Sequence, residues 1–183
     1  MRRQSRETEG VTLTWEGHFI DPLFTHTTTG FTRPGDEEHP YLASVSCVHD
    51  PEEEGFVQEM IMQPEEAAKR VSAIPAGDGS FRTIPPEAFP EQVQIISRDE
   101  AGYALQLQIG GFPFNGEEVR LALGLPSACF ELNRHGSDVR FTVRGRGHGW
   151  GLSQTEAQAL AEDGWSAEAI LEYFYTGISF SSE

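Results

Sequence analysis

The sequence predicts an α+β fold, in which an antiparallel sheet made of hairpins is covered on one face by two C-terminal helices. Three observations lead to this prediction. Short segments of alternating apolar and polar residues are separated by turn residues, which is typical of strands in hairpins. Two segments with apolar residues at helical spacing follow one another near the end of the chain. The 183 residues are 38% hydrophobic, which is enough for one domain with its own core.

The first hairpin is predicted near the start of the chain. Residues 10–15 alternate and are β-branched, Glu16-Gly17 make the turn, and 18–24 continue the sheet. A polar run, Thr25-His-Thr-Thr-Thr-Gly30, comes next. On pattern alone this run is the end of an edge strand followed by a hydroxyl-rich loop. Alternatively, its hydroxyls and imidazole supply the short hydrogen bonds that sugars need, as one wall of a groove.

The middle of the chain carries the weakest patterns. We expect about 50–92 to be a variable insertion, in which the acidic run 50–55 is a solvated turn. Pro64 opens a short helix that ends before Pro75, and 85–90 make at most one further turn.

Stronger signals follow this insertion. Alternation predicts five further strands, at 93–97, 103–109, 130–133, 139–143 and 178–180. Asn115 is expected to cap a helix over 116–123 that Gly124 ends. Ser166 is expected to cap the last helix.

Charge and composition exclude several classes of function. The formal net charge is −16 and Lys69 is the only lysine, so a surface that tracks phosphates, and with it a nucleic-acid partner, is not expected. No run of eighteen apolar residues is present and no apolar segment follows the first arginines, so neither a membrane span nor an export signal is predicted. Residues 1–6 are expected to be disordered and 7–183 to form a single domain, since no repeat or low-complexity segment divides them.

Neither a disulfide nor a metal site is predicted. Cys47 and Cys129 are isolated in the sequence, and Cys129 fits a small core residue of a strand. His26, His39, Cys47 and His49 lie near one another, but no pair has the tight spacing of a zinc site. We therefore expect no metal and no cofactor.

The most informative stretch is Gly145-Arg-Gly-His-Gly-Trp-Gly-Leu-Ser-Gln-Thr-Glu-Ala157. Four glycines alternate around His148 and Trp150, which lets the backbone adopt positive φ and leaves space that a ligand can enter. Ser153 and Glu156 have capping-box spacing, with the hydroxyl accepting from the Glu156 amide and the carboxylate reaching back, so a helix is predicted over 154–163. Its first turn presents unpaired N–H groups beside the loop. A simpler interpretation is a glycine-rich loop that only connects a strand to a helix.

These strings resemble the stage II sporulation protein D family. Gly-His-Gly-Trp-Gly-Leu-Ser-Gln, with Ala157, Ala161 and Gly164 after it, is similar to the family's Gly-His-Gly-Val-Gly-Met-Ser-Gln signature. Phe-Thr-His-Thr-Thr-Thr-Gly-Phe-Thr followed by Pro-Tyr-Leu-Ala-Ser-Val resembles a second family string. A third, looser similarity runs from Asn115 to Phe130, and the resemblance extends over roughly 7–180.

The resemblance implies an extracytoplasmic protein that acts on peptidoglycan. Members of the family are lytic transglycosylases that cut glycan strands stripped of their peptides during spore engulfment. They work with a partner amidase, the stage II sporulation protein P. Carried over by position, the implied substrate-binding residues of this chain are His26, Thr28, Thr29, Gly30, His148, Gly149, Trp150, Gly151, Ser153 and Gln154.

The family's catalytic glutamate lies in an Ala-Gln-Ala-Val-Ala-Ala-Arg-Thr-Tyr string upstream of everything matched, and this chain has no such string. Glu156 and Asp138 are the acids near the expected groove, and Glu156 is the candidate replacement, although capping explains it without catalysis. Three interpretations stay open. The chain is the substrate-binding portion of a lytic transglycosylase, a non-catalytic amidase-enhancer or wall-binding module, or a structural remnant whose exposed edge needs a partner chain.

Overall fold

The computed structural model describes residues 11–182, so the start expected to be disordered, 1–6, lies outside the described residues. The fold is α+β, as predicted. The strands are β1 Val11–Trp15, β2 His18–Phe19, β3 Phe24–Thr25, β4 Val57–Met62, β5 Val93–Arg98, β6 Ala104–Ile109, β7 Phe112–Asn115, β8 Phe130–His135, β9 Asp138–Arg144, β10 Leu152–Ser153 and β11 Ile178–Ser182. The helices are α1 Pro64–Ser72, α2 Gly116–Leu123, α3 Gln154–Glu162 and α4 Ala167–Phe174. Short 3-10 turns lie at Asp50–Glu52 and Pro86–Ala88.

The strands form three antiparallel sheets and one parallel pair. The sheet orders are β11-β1-β2, β4-β9-β8 and β5-β6-β7, and the predicted hairpins β1–β2, β5–β6 and β8–β9 are all present. The expected continuation of the first hairpin over 18–24 is shorter than predicted, because β2 ends at Phe19. β3 instead leaves that sheet and pairs in parallel with β10, whose residues lie 128 positions further along the chain.

A first hydrophobic core lies between the β4-β9-β8 and β5-β6-β7 sheets and the helices α1 and α2. Ala67, Ala68 and Val71 of α1 are buried in it, together with Phe130 and Phe141 of the sheet. The segment 57–72, which belongs to the expected insertion, thus supplies an edge strand and a helix to the core.

A second core is built around α3, α4 and the β11-β1-β2 sheet. Leu160, Ile170, Phe174 and Tyr175 are buried there with Cys47. Apolar positions at helical spacing, such as Ile170 and Phe174, predicted this face. In α3, Leu160 is buried in this core, whereas the neighbouring Ala161 is exposed.

The residues predicted to cap and to end the helices do so in the structure. The Asn115 side chain accepts hydrogen bonds from the amides of Glu117 and Glu118, and Ser166 accepts from the amide of Ala169. Gly124 ends α2 in the left-handed conformation, at φ 71°. Of the helices among residues 11–182, none combines the length and the apolar character that crossing a membrane requires.

Candidate functional site

Two segments that are far apart in sequence lie side by side. We call Thr25–Gly30 the polar segment and Gly145–Gly151 the glycine-rich loop. The Thr27 amide donates to the Arg146 carbonyl at 3.0 Å, and the Arg146 amide donates to the Thr27 carbonyl at 2.8 Å. The pairing of β3 with β10 extends this contact to the start of α3. The loop leaves β9, beside the first core, and leads through β10 into α3, beside the second core.

The glycines of the loop allow it to pack closely against the protein. Gly145, Gly147, Gly149 and Gly151 all have positive φ, between 71° and 112°. A Cβ at Gly151 would overlap the Leu23 carbonyl, and one at Gly149 would overlap a tyrosine ring. The sequence analysis expected these glycines to leave space for a ligand. That interpretation was wrong on this side of the loop, where neighbouring chain fills the space.

Hydroxyls of the polar segment join it to the loop. Thr25 Oγ1 donates to the Arg146 carbonyl at 3.2 Å and accepts from the Gly149 amide at 3.2 Å. Thr27 Oγ1 lies 3.0 Å from Thr155 Oγ1 and 2.7 Å from His26 Nδ1. Thr25 and Thr27 are both buried. These side chains therefore fix the shape of the site from inside.

Asp50 joins the polar segment to the start of α3 and was missed by sequence reasoning. It is fully buried, at 0% exposure, although 50–55 was predicted to be a solvated turn. Its Oδ2 accepts from the amide and the hydroxyl of Thr28, each at 2.6 Å, and its Oδ1 accepts from the Ser153 hydroxyl at 2.8 Å. Burial raises the pKa of this carboxyl, while the hydrogen bonds from Thr28 and Ser153 partly offset that rise. The prediction failed because the sequence gives no sign of a partner 103 residues away.

Only half of the predicted capping box is present. Ser153 Oγ accepts from the Glu156 amide at 3.3 Å, as expected. The Glu156 carboxylate does not reach back, because it accepts from the His49 amide at 2.8 Å and lies 3.1 Å from His49 Nδ1. The Glu156 side chain is 3% exposed, and its hydrogen bond raises the pKa of His49. The candidate acid is thus buried with both of its oxygens engaged.

The first turn of α3 also differs from the prediction. The Thr155 amide donates to the His26 carbonyl at 3.1 Å, and the Glu156 amide is taken by Ser153. One of the amides expected to be available to a ligand, that of Thr155, therefore bonds within the protein, while the Glu156 amide bonds to Ser153 as predicted.

A buried arginine supports the other end of the loop. The Arg33 side chain is 3% exposed, and it donates to Asp99 at 2.5 Å, to Glu117 at 3.0 Å and to the His148 carbonyl at 3.1 Å. Its guanidinium lies 3.7 Å from the centre of the Trp150 ring, a cation–π contact.

His148 and Trp150 are packed against each other. Their rings stack with centroids 5.6 Å apart, and His148 Nδ1 accepts from the Trp150 amide at 3.0 Å. Burial lowers the pKa of His148, and the nearby charges of Arg120 and Arg33 lower it further. The neutral imidazole needed for that hydrogen bond is thus favoured. Trp150 also borders a depression of about 270 Å³ with Pro34, His39 and Leu23.

The predicted site residues divide by exposure. Those with accessible side chains or partial exposure are His26, Thr29, His148, Trp150 and Gln154, of which Gln154 is the most open. Those that are buried are Thr28, Gly30, Gly149, Gly151 and Ser153. Sequence reasoning missed Arg146, whose side chain is exposed between two of the glycines. Within residues 11–182, no three His, Cys, Asp or Glu side chains are placed to share a metal ion.

Comparisons with known proteins agree with the resemblance found in the sequence. No family model matches the chain. Stage II sporulation protein D of Bacillus amyloliquefaciens is 29% identical over 178 residues, which cover 95% of this chain and 48% of that protein. The stage II sporulation protein D of Bacillus subtilis strain 168 is likewise 29% identical over 178 residues, covering 95% of this chain and 49% of the relative. The chain therefore spans about half the length of the curated relatives it matches. Over nearly its full length, this chain is similar to stage II sporulation protein D.

Proposed function

We propose that this chain holds peptidoglycan glycan strands stripped of their peptides, outside the cytoplasm, during spore engulfment. The observation that carries the proposal is the direct contact between the polar segment and the glycine-rich loop, the two strings on which the family resemblance depends. A structure that fixes two distant segments with buried hydroxyls and a buried carboxylate gives a rigid support for a binding surface.

Polar side chains at the edge of this support suit a carbohydrate. Gln154 and Arg146 are exposed, and His26 and Thr155 are half-buried beside them. Amide, imidazole and hydroxyl groups both donate to and accept from sugar hydroxyls, and a guanidinium donates to them. The His148 and Trp150 rings border the same loop and offer apolar surface. We therefore assign strand binding to this edge.

Strand cleavage is the second candidate function, and the activity implied by the family favours it. Cleavage requires a carboxylic acid that reaches the leaving oxygen. Asp50 accepts from Thr28 of the polar segment and Glu156 lies in the first turn of α3, and both carboxylates are buried and hydrogen-bonded. Because these carboxylates are already hydrogen-bonded within the protein, binding of a glycan strand by residues 11–182 is favoured over its cleavage. A non-catalytic module that assists a cell-wall amidase, of the stage II sporulation protein P kind, is the alternative within the same proposal.

Incubation of the 183-residue chain with denuded glycan strands tests the proposal. We expect the chain to be retained on the strands in a pull-down, and Gln154→Ala to weaken retention because it removes an exposed hydrogen-bonding group. Glu65→Gln, an exposed position on α1, serves as the control. Failure of the chain to bind any glycan strand would contradict the proposal.

Mass spectrometry of the same incubation separates holding from cleavage. Retention without anhydro-sugar products supports the binding module. Release of anhydro-sugars makes cleavage the function, and Glu156→Gln then identifies or excludes Glu156 as the acid, since the amide cannot donate the proton. Addition of a cell-wall amidase with intact peptidoglycan tests the alternative, for which an increase in amidase rate is the expected result.

A further inference from the structure

We propose that Arg146 recognises the carboxylate that each muramic acid residue exposes once its peptide has been removed. The inference rests on the proposed function and deepens it. Removal of the stem peptide frees the carboxylate of the lactyl group, so a denuded strand carries one negative charge per disaccharide. A site that distinguishes denuded from peptide-bearing strands needs a group that binds this charge.

Arg146 differs from the other arginines of residues 11–182 in being unengaged. Six of them pair with carboxylates, namely Arg33, Arg70, Arg120, Arg134, Arg140 and Arg144. Arg82 and Arg98 donate to backbone carbonyls. The Arg146 guanidinium makes neither kind of contact with a described residue, although the chain has a net charge of −16. A planar guanidinium is the side chain best suited to bidentate binding of a carboxylate.

The backbone beneath this side chain is fixed. Arg146 exchanges two hydrogen bonds with Thr27, and its carbonyl also accepts from Thr25 Oγ1 at 3.2 Å. An added Cβ at Gly55 would lie 3.8 Å from a guanidinium nitrogen of Arg146, so the end of this side chain is near the turn that precedes β4. Thr27 in turn contacts Thr155, which borders a shallow depression of about 320 Å³. The guanidinium thus extends from a rigid base, at the edge that we assign to the glycan.

The surroundings favour an isolated carboxylate over a polyanion. The depression beside Thr155 is also lined by Glu52, Glu53 and Glu162, with His49. Closely spaced phosphates, as in a teichoic acid, would meet these carboxylates and be repelled. One carboxylate per disaccharide can instead reach Arg146 while neutral sugar hydroxyls face the acidic residues, which accept hydrogen bonds from them.

Binding of matched ligands to the 183-residue chain tests the inference. The ligands are denuded strands, the same strands with their carboxylates converted to methyl amides, chitin oligosaccharides, which have no carboxylate, and a glycerol phosphate polymer. We expect the wild-type chain to bind denuded strands about tenfold more tightly than amidated strands, the effect of one charge-assisted contact. Arg146→Gln should abolish this difference, with any loss of binding to chitin oligosaccharides smaller than the loss for denuded strands. Arg146→Lys should retain part of the preference for denuded over amidated strands, because the positive charge stays while the bidentate geometry of the guanidinium is lost.

Lys69→Gln is the matched control, since Lys69 is exposed on α1 and the variant changes the net charge by the same amount. Equal binding of denuded and amidated strands by the wild type would overturn the inference and leave strand binding standing. Arg146→Gln losing affinity for all glycans alike, or for none, would also overturn it, as would an effect on the phosphate polymer alone. No glycan binding at all would overturn the proposed function together with it. An unchanged melting temperature of Arg146→Gln shows that the variant is folded.

Discussion

At the scale of single residues, Gly149 is fixed both by its backbone and by its surroundings. Its φ is 85°, and an added Cβ would overlap the Tyr103 ring. We predict that Gly149→Ala lowers the free energy of unfolding by roughly 2–4 kcal/mol, from backbone strain together with the steric overlap. Urea unfolding measures the loss.

Gly136→Ala separates the two causes. Gly136 has φ 63° in the β8–β9 turn, and an added Cβ would contact nothing within 4 Å. Gly136→Ala should therefore lower the free energy of unfolding through backbone strain alone, by roughly 1 kcal/mol. If both variants lost the same stability, the contact with Tyr103 would be irrelevant.

The pair of His49 and Glu156 predicts a pH dependence. The hydrogen bond to Glu156 raises the pKa of His49 in the folded protein. A raised folded-state pKa means that the stabilisation is fully present below the unfolded-state pKa of histidine, about 6.5, and is lost as the pH rises through the folded-state value. We therefore predict that His49→Gln lowers the melting temperature more at about pH 6 than at about pH 9.

His18→Gln is the control for this measurement, since His18 is exposed in β2 and forms no ion pair with a described residue. Its melting temperature should follow that of the wild type at both values of pH. A difference for His49→Gln that is constant with pH would mean that the imidazole acts as a neutral hydrogen-bond donor only.

At the scale of elements, Asp50 connects a 3-10 turn, the polar segment and the N-terminus of α3. Asp50→Ala leaves the Thr28 and Ser153 donors buried without an acceptor. Because each unsatisfied buried donor costs about 1–3 kcal/mol, we predict a loss of roughly 3 kcal/mol in the free energy of unfolding. Chemical unfolding monitored by tryptophan fluorescence measures it.

Asp78→Ala is a closely matched control. Asp78 accepts hydrogen bonds from the amide and the hydroxyl of Ser80, at 3.0 and 2.7 Å, but in an exposed loop. Water replaces the lost acceptor there, so its loss should stay below about 1 kcal/mol. Equal losses in the free energy of unfolding for the two variants would show that the burial of Asp50 does not contribute to stability.

The elements that were predicted correctly depend on interactions between residues that are close in the sequence. Asn115 and Ser166 cap their helices through amides two or three residues away, and Gly124 supplies its own positive φ. Alternation sufficed for the β5–β6 and β8–β9 hairpins, because their partners are adjacent in the chain. The sequence alone therefore predicts a structural element when the residues that form it are only a few positions apart.

The features that could not be predicted depend on distant partners. The parallel pairing of β3 with β10 joins two strands of two residues each, which are too short for any periodicity. The Glu156 carboxylate has the spacing of a capping box, but a histidine 107 residues earlier competes for it. The family resemblance pointed to the two strings that lie side by side in the structure. It could not show that the hydroxyls of the polar segment face inward.

At the scale of the whole molecule, Arg33 links the parts built on the two cores. Asp99 follows β5 and Glu117 lies in α2, both beside the first core, whereas Trp150 packs against the second core. Arg33 contacts all three. Burial raises the pKa of Glu117, and the charges of Arg120 and Arg33 act against that rise.

Arg33→Met tests this link. The variant keeps much of the side-chain volume but leaves Asp99 and Glu117 without their buried partner, so we predict a loss of about 3–5 kcal/mol in the free energy of unfolding. Arg134→Met removes an ion pair with Glu91 in which both side chains are 51% exposed, and it should cost less than about 1 kcal/mol. Binding of denuded strands by Arg33→Met should weaken as well, because the guanidinium supports the carbonyl of His148 and the ring of Trp150. Equal stability losses in the two arginine variants would refute the link, and an unchanged affinity in a destabilised Arg33→Met chain would show that the loop keeps its shape without it.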